Sequence, residues 1–197
     1  MRSAVMLLCG LLTALGYAGR IDAQAATASG KAEAVAPGWT ITTDLPKGWN
    51  KDCCTYAAAI GVNLVLYQGE WTGKPERVMV LNVWPSKLPA LSAELQDDRQ
   101  HYLKSDPHGV AADFSMADPH GIGCQGVLYH GSDHVDDMVV FCDPGKQSGI
   151  RYSWSMTLSA SDPNRQALIN TFKQVVQHSA YVSHLQPSAP THPTAHQ

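Results

Sequence analysis

The order of hydrophobic periods along this chain predicts an α+β domain: an antiparallel sheet of about six to seven strands with two main packed helices. Three observations predict it. Several short runs alternate apolar with polar residues, most cleanly where Ile150, Tyr152, Trp154, Met156 and Leu158 interleave with Arg151, Ser153, Ser155, Thr157 and Ser159. Two segments switch to helical spacing, one around Leu95 and one around Phe172. The links between strands are short enough for hairpins and meanders, and the helix around Leu95 is the one long crossover.

Trp39 to Asp44 reads as a short first strand running into Leu45-Pro46-Lys47-Gly48-Trp49. Ile60 to Tyr67 and Arg77 to Trp84 are β-rich runs, and the glycine-bearing stretch from Gly69 to Pro75 between them suits a long hairpin loop. Leu88, Leu91, Leu95, Tyr102 and Leu103 then fall on one side of a helix. Asp97, Asp98, Arg99 and Lys104 are expected to face water, and Asp106-Pro107 with Gly109 ends the helix. Val110, Ala112, Phe114 and Met116 alternate as a strand. Cys124 to His130 and Asp137 to Cys142 are two more, joined by the turn Gly131-Ser132-Asp133-His134. After the Ile150–Leu158 strand, Asp162-Pro163 offers an N-cap and a first-turn proline. The last helix carries Leu168, Ile169, Phe172, Val175 and Val176 on one stripe.

The ends of the chain read differently. Met1 and Arg2 precede an apolar run from Ala4 to Leu15, followed by small residues, the layout of a secretory signal peptide. The expected division is a signal peptide over 1–23 with cleavage between 18 and 25, a flexible linker over 24–36, one domain over 37–182, and a disordered tail over 183–197. The leader run is about 12 residues, short of the roughly 20 a membrane span needs, and no later segment approaches that length without charges. No membrane span is therefore expected, and the expected location is the periplasm. Cys9 lies inside the run, so it is not read as a lipid acceptor. The net charge of −3 excludes a basic nucleic-acid footprint or a polybasic membrane patch.

Loss of the leader leaves Cys53, Cys54, Cys124 and Cys142, an even set in an oxidising compartment and hence two disulfides with three possible connectivities. A hairpin turning about Asp133 sets Cys124 opposite Cys142, Leu128 opposite Met138 and Gly126 opposite Val140, with apolar partners on one face. A Cys124–Cys142 bond is one outcome. The favoured expectation is instead a cross-tied form, each of these cysteines bonding to one of Cys53 and Cys54, because a direct Cys53–Cys54 bond closes a strained small ring.

The opening Gly38-Trp39-Thr40-Ile41, the Leu45-Pro46-Lys47-Gly48-Trp49 segment and the element order resemble the start and layout of PsbP-like and DcrB-like exported domains. The vicinal cysteines are not part of that pattern. The resemblance implies an α/β/α sandwich serving as a binding or assembly module.

No nucleophile elbow or Ser-x-x-Lys motif is present, and the adjacent carboxylates Asp97-Asp98 and Asp136-Asp137 point apart, so no catalytic residue is assigned. Trp71, with Glu70, lies in a polar glycine-flanked loop and is the leading partner-contact candidate, because Trp offers much contact area from few rotors. Arg151 and Ser153, on a strand face expected to be open to water, come second. His130, His134 and Asp136 gather metal-ligating groups in one turn, although such residues are also what a solvated turn prefers. The sequence thus predicts an exported, non-enzymatic module that binds another protein, of inhibitor or immunity type or an envelope assembly factor, with no cofactor. The alternatives are a periplasmic metal-binding protein using the His130–Asp137 turn, and a hydrolase whose site is assembled from distant residues.

Overall fold

A computed structural model describes residues 24–31, 38–71, 75, 77–116 and 119–184. The expected signal peptide and residues 185–197 of the expected tail lie outside them. The described chain is α+β, with a seven-stranded antiparallel sheet, a three-stranded sheet and three helices.

The three-stranded sheet is β1 (Ala25–Lys31), β2 (Gly38–Asp44) and β10 (Ala180–His184), with β2 in the middle. The seven-stranded sheet comprises β3 (Asn50–Asp52), β4 (Leu64–Tyr67), β5 (Val78–Pro85), β6 (Val110–Phe114), β7 (Gly123–His130), β8 (Val135–Asp143) and β9 (Ile150–Ser159). Its spatial order is β3-β4-β5-β9-β8-β7-β6. The helices are α1 (Tyr56–Ala59), α2 (Leu91–Ser105) and α3 (Arg165–Gln177).

Register decides what each face of the large sheet carries. Met79, Leu81 and Val83 of β5 pair with Met156, Trp154 and Tyr152 of β9, and Val140 and Cys142 of β8 extend the same rows. This apolar face packs on α3 through Leu168, Ile169, Phe172, Val175 and Val176, the stripe expected from sequence, all buried. The small sheet shares this core through Ala26, Ala28, Trp39 and Ile41. The opposite face carries a smaller cluster of Val127, Tyr129 and Phe141, covered by Leu91, Leu95 and Tyr102 of α2. The two long helices thus lie on opposite faces of the large sheet.

Three expectations are corrected here. Residues 25–31, read as linker, form β1 along the whole length of β2. Their small side chains were mistaken for flexibility, but they are what lets bulky β2 residues pack. A Cβ added at Gly30 would lie 2.7 Å from Cζ2 of Trp39, its direct partner across the strands. The domain also runs to His184, because β10 closes the other side of β2. The strand expected from Ile60 begins only at Leu64. The Ala-rich stretch before it forms the helical turn α1, and the Asp52 carboxylate fastens its start by accepting the N–H groups of Cys54, Thr55, Tyr56 and Ala57 at 2.6–3.1 Å.

Cys124 and Cys142 face each other across β7 and β8, with Leu128 opposite Met138 and Gly126 opposite Val140, the register expected from symmetry about Asp133. They are disulfide-bonded, and so are Cys53 and Cys54. The cross-tied pairing is therefore corrected. Antiparallel register already brings Cys124 and Cys142 to a Cα separation of 4.2 Å, which leaves Cys53 and Cys54 to pair with each other.

Candidate functional site

Trp71 does not stand free in its loop. Its indole stacks on Tyr56 at 4.9 Å with 9° between the planes, and meets Tyr67 edge-on at 5.3 Å. Tyr56 and Tyr67 pack edge-to-face at 6.1 Å. All three rings are half-buried. α1 presents Tyr56 and β4 presents Tyr67, so the cluster is built on ordered elements. The exposed Cys53–Cys54 ring and the Asp52 turn immediately precede α1. Dehydration, its largest single influence, pushes the Asp52 carboxyl up, but the four backbone donors together hold it below the usual range. Dehydration and neighbouring groups push the Tyr67 phenol up. Glu70 is exposed beside the cluster.

Arg151 and Ser153 are not on an open face: they are 3% and 6% exposed. The start of α2 covers Arg151. Arg151 donates through Nη1 to Glu94 at 2.7 Å and to the Leu88 carbonyl at 2.9 Å, and through Nε to Asp143 at 3.2 Å. This guanidinium fastens the first turn of α2 to β8 and β9, so Arg151 is corrected from a partner contact to a structural bolt. The face opens only further along, where Ser155 is half-buried and Thr157 exposed.

The candidate metal turn likewise separates. Asp136 is buried and spends both oxygens within the protein, one on Arg165 Nη2 at 2.5 Å and one near His130 Nδ1 at 3.1 Å. Arg165 opens α3, so this pair bolts α3 to the other face of the sheet. His134 is exposed in the turn at φ 65°. Among the described residues no group of three or more His, Cys, Asp or Glu side chains is placed to hold a metal ion. The His130, His134 and Asp136 assignment is corrected accordingly: the buried carboxylate already has a cation.

A groove that sequence reading missed lies on the α2 side of the large sheet, where α2 stops short of β5. It has a volume of about 490 Å³. Asn82, Ser153 and Ser155 form its floor, Trp84 and Phe141 its aromatic wall, and Asp98 of α2 its rim. Trp84 and Phe141 meet edge-on at 6.0 Å. Asp98, expected to face water, instead takes the Tyr129 hydroxyl at 2.5 Å. Dehydration pushes its carboxyl up, with the Tyr129 bond acting the other way. Dehydration and the Asp98 carboxylate push the Tyr129 phenol strongly up, and Tyr102 stacks on its ring at 4.1 Å. The sequence signal for the groove was the set of short polar residues on central strands, Asn82 directly across from Ser153.

Among the described residues no helix is long and apolar enough to cross a membrane. No protein-family model matches this chain, and neither does any curated protein.

Proposed function

We propose that this is an exported, periplasmic, non-enzymatic module that docks on another protein through the Tyr56–Tyr67–Trp71 cluster. The carrying observation is that cluster itself. Three aromatic rings keep part of their surface in water while being locked against one another. Aromatic anchors held rigid before contact lose little entropy on binding, which is why such residues dominate interface energetics. The stapled Cys53–Cys54 ring and the Asp52-capped turn keep Tyr56 in place. Two disulfides suit an oxidising compartment outside the cytoplasm, and the apolar leader run supplies the export signal.

The test places a photo-crosslinking amino acid at Glu70, which is exposed and leaves the cluster intact. Illumination of intact cells should yield one dominant adduct with an exported protein. Trp71→Ala in the same chain should remove the adduct and weaken the purified pair by at least about 2 kcal/mol. An adduct that persists with Trp71→Ala would show that the cluster only holds the loop.

A further inference from the structure

We propose that the groove between α2 and β5 is a second, independent site that binds a small neutral polyhydroxylated ligand, a sugar or polyol. The floor is made by two central strands whose other face packs into the main core. Behind Asn82, Ser153 and Ser155 lie Leu81, Val83, Tyr152, Trp154 and Met156, packed in the main core. Asn82 and Ser155 are half-buried and Ser153 is buried, so the three short polar side chains line the groove with part of their surface open to it. Here none of the three side chains makes a hydrogen bond with any described residue. Ser153 is more than nine-tenths buried and lines the groove, so its hydroxyl is aimed at whatever fills that space.

The available groups specify the ligand's chemistry. Serine hydroxyls and an asparagine amide donate and accept, as ligand hydroxyls do. Asp98 has one oxygen committed to Tyr129 and the other without a hydrogen-bond partner, an acceptor suited to a ligand O–H. Trp84 and Phe141 give an aromatic surface against which the C–H face of a sugar ring packs. Among the described residues lining the groove there is no lysine, arginine or histidine to hold an anion, and the nearby Arg151 is consumed by Glu94, Asp143 and the Leu88 carbonyl. The space, about 490 Å³, is within the usual range for a small-molecule pocket.

The test is an NMR titration of the isotope-labelled full chain with glucose, galactose, N-acetylglucosamine and glycerol, with glucosamine and glucuronate as charged probes. At least one neutral probe should give saturable shifts of the Asn82, Ser153 and Ser155 amides. Ser153→Ala should weaken that probe about tenfold, the worth of one well-made hydrogen bond, with no loss of thermal stability, because the hydroxyl has no partner inside the protein. Asn82→Leu provides a second variant and should abolish the shifts. Three outcomes overturn the proposal: no neutral probe shifts these amides, a charged probe binds more tightly than every neutral one, or Ser153→Ala lowers stability and leaves the affinity unchanged. Trp71→Ala leaves this titration untouched, so failure here is distinct from failure of the docking cluster.

Discussion

At Asp98 the carboxyl is shared between a phenol and the groove. Its affinity for a proton is raised chiefly by loss of water, so the folded chain binds that proton more tightly than the unfolded one. The associated stability is fully present below the unfolded carboxylate range and is lost as pH rises through the raised folded value. Asp98→Asn keeps an acceptor for the Tyr129 hydroxyl and removes the charge. Urea melts from acid to neutral pH should show variant and parent alike in acid, with the variant gaining on the parent as pH rises. A constant difference across that range would show that Asp98 is as well hydrated as any surface carboxylate. Arg151 behaves oppositely, being a charge that is buried and matched. Arg151→Met should cost about 3 kcal/mol in denaturant melts, because it strands Glu94 and Asp143 without their cation. Neither behaviour was legible in sequence. Alternation places Arg151 on the polar face of its strand but does not reveal that a helix lies across that face.

The elements that sequence reading found are those whose side chains announce their period. α3 buries five apolar residues at helical spacing, and each was named from sequence because a helix with one strongly apolar stripe has one way to face a core. Phe172 is fully buried there, so Phe172→Ala should lower stability by roughly 3–5 kcal/mol, and a loss within about 0.5 kcal/mol would place the stripe in water. The β7–β8 register was legible for a similar reason, since one slip would send Leu128 and Met138 to the opposite face. β1 was illegible because it contributes to packing by lacking bulk: Ala26 and Ala28 fill little space and Gly30 clears room for an indole. α2 is an intermediate case. It was placed to within three residues of its observed start, yet none of its side chains is fully buried, so Asp98 on the flank of its stripe was assigned to solvent. The candidate groove fell between elements and needed the β5–β9 pairing to appear.

Among the described residues two disulfides of very different reach cross-link the chain. Digestion of the oxidised protein without reductant should release one peptide carrying Cys53 and Cys54 already bonded, and a separate linked pair carrying Cys124 and Cys142. Any peptide joining the first pair to the second would refute this pairing. Replacing both Cys124 and Cys142 by serine should cost about 3 kcal/mol, since their bond closes a loop with a sequence separation of 18 in the unfolded chain, whereas the bond between adjacent residues closes almost none. The small sheet has a further consequence, for the timing of assembly. β2 has neighbours from opposite ends of the domain, β1 just before it and β10 after every other element. A chain emerging from its N-terminus can form the β1–β2 hairpin at once, but it cannot close the far side of β2 until α3 and β10 have followed. Contacts that span so much chain form slowly. As the chain emerges, the hairpin therefore waits with Trp39 and Ile41 uncovered by α3, and this interval is when a holdase has most to protect and a protease most to cut.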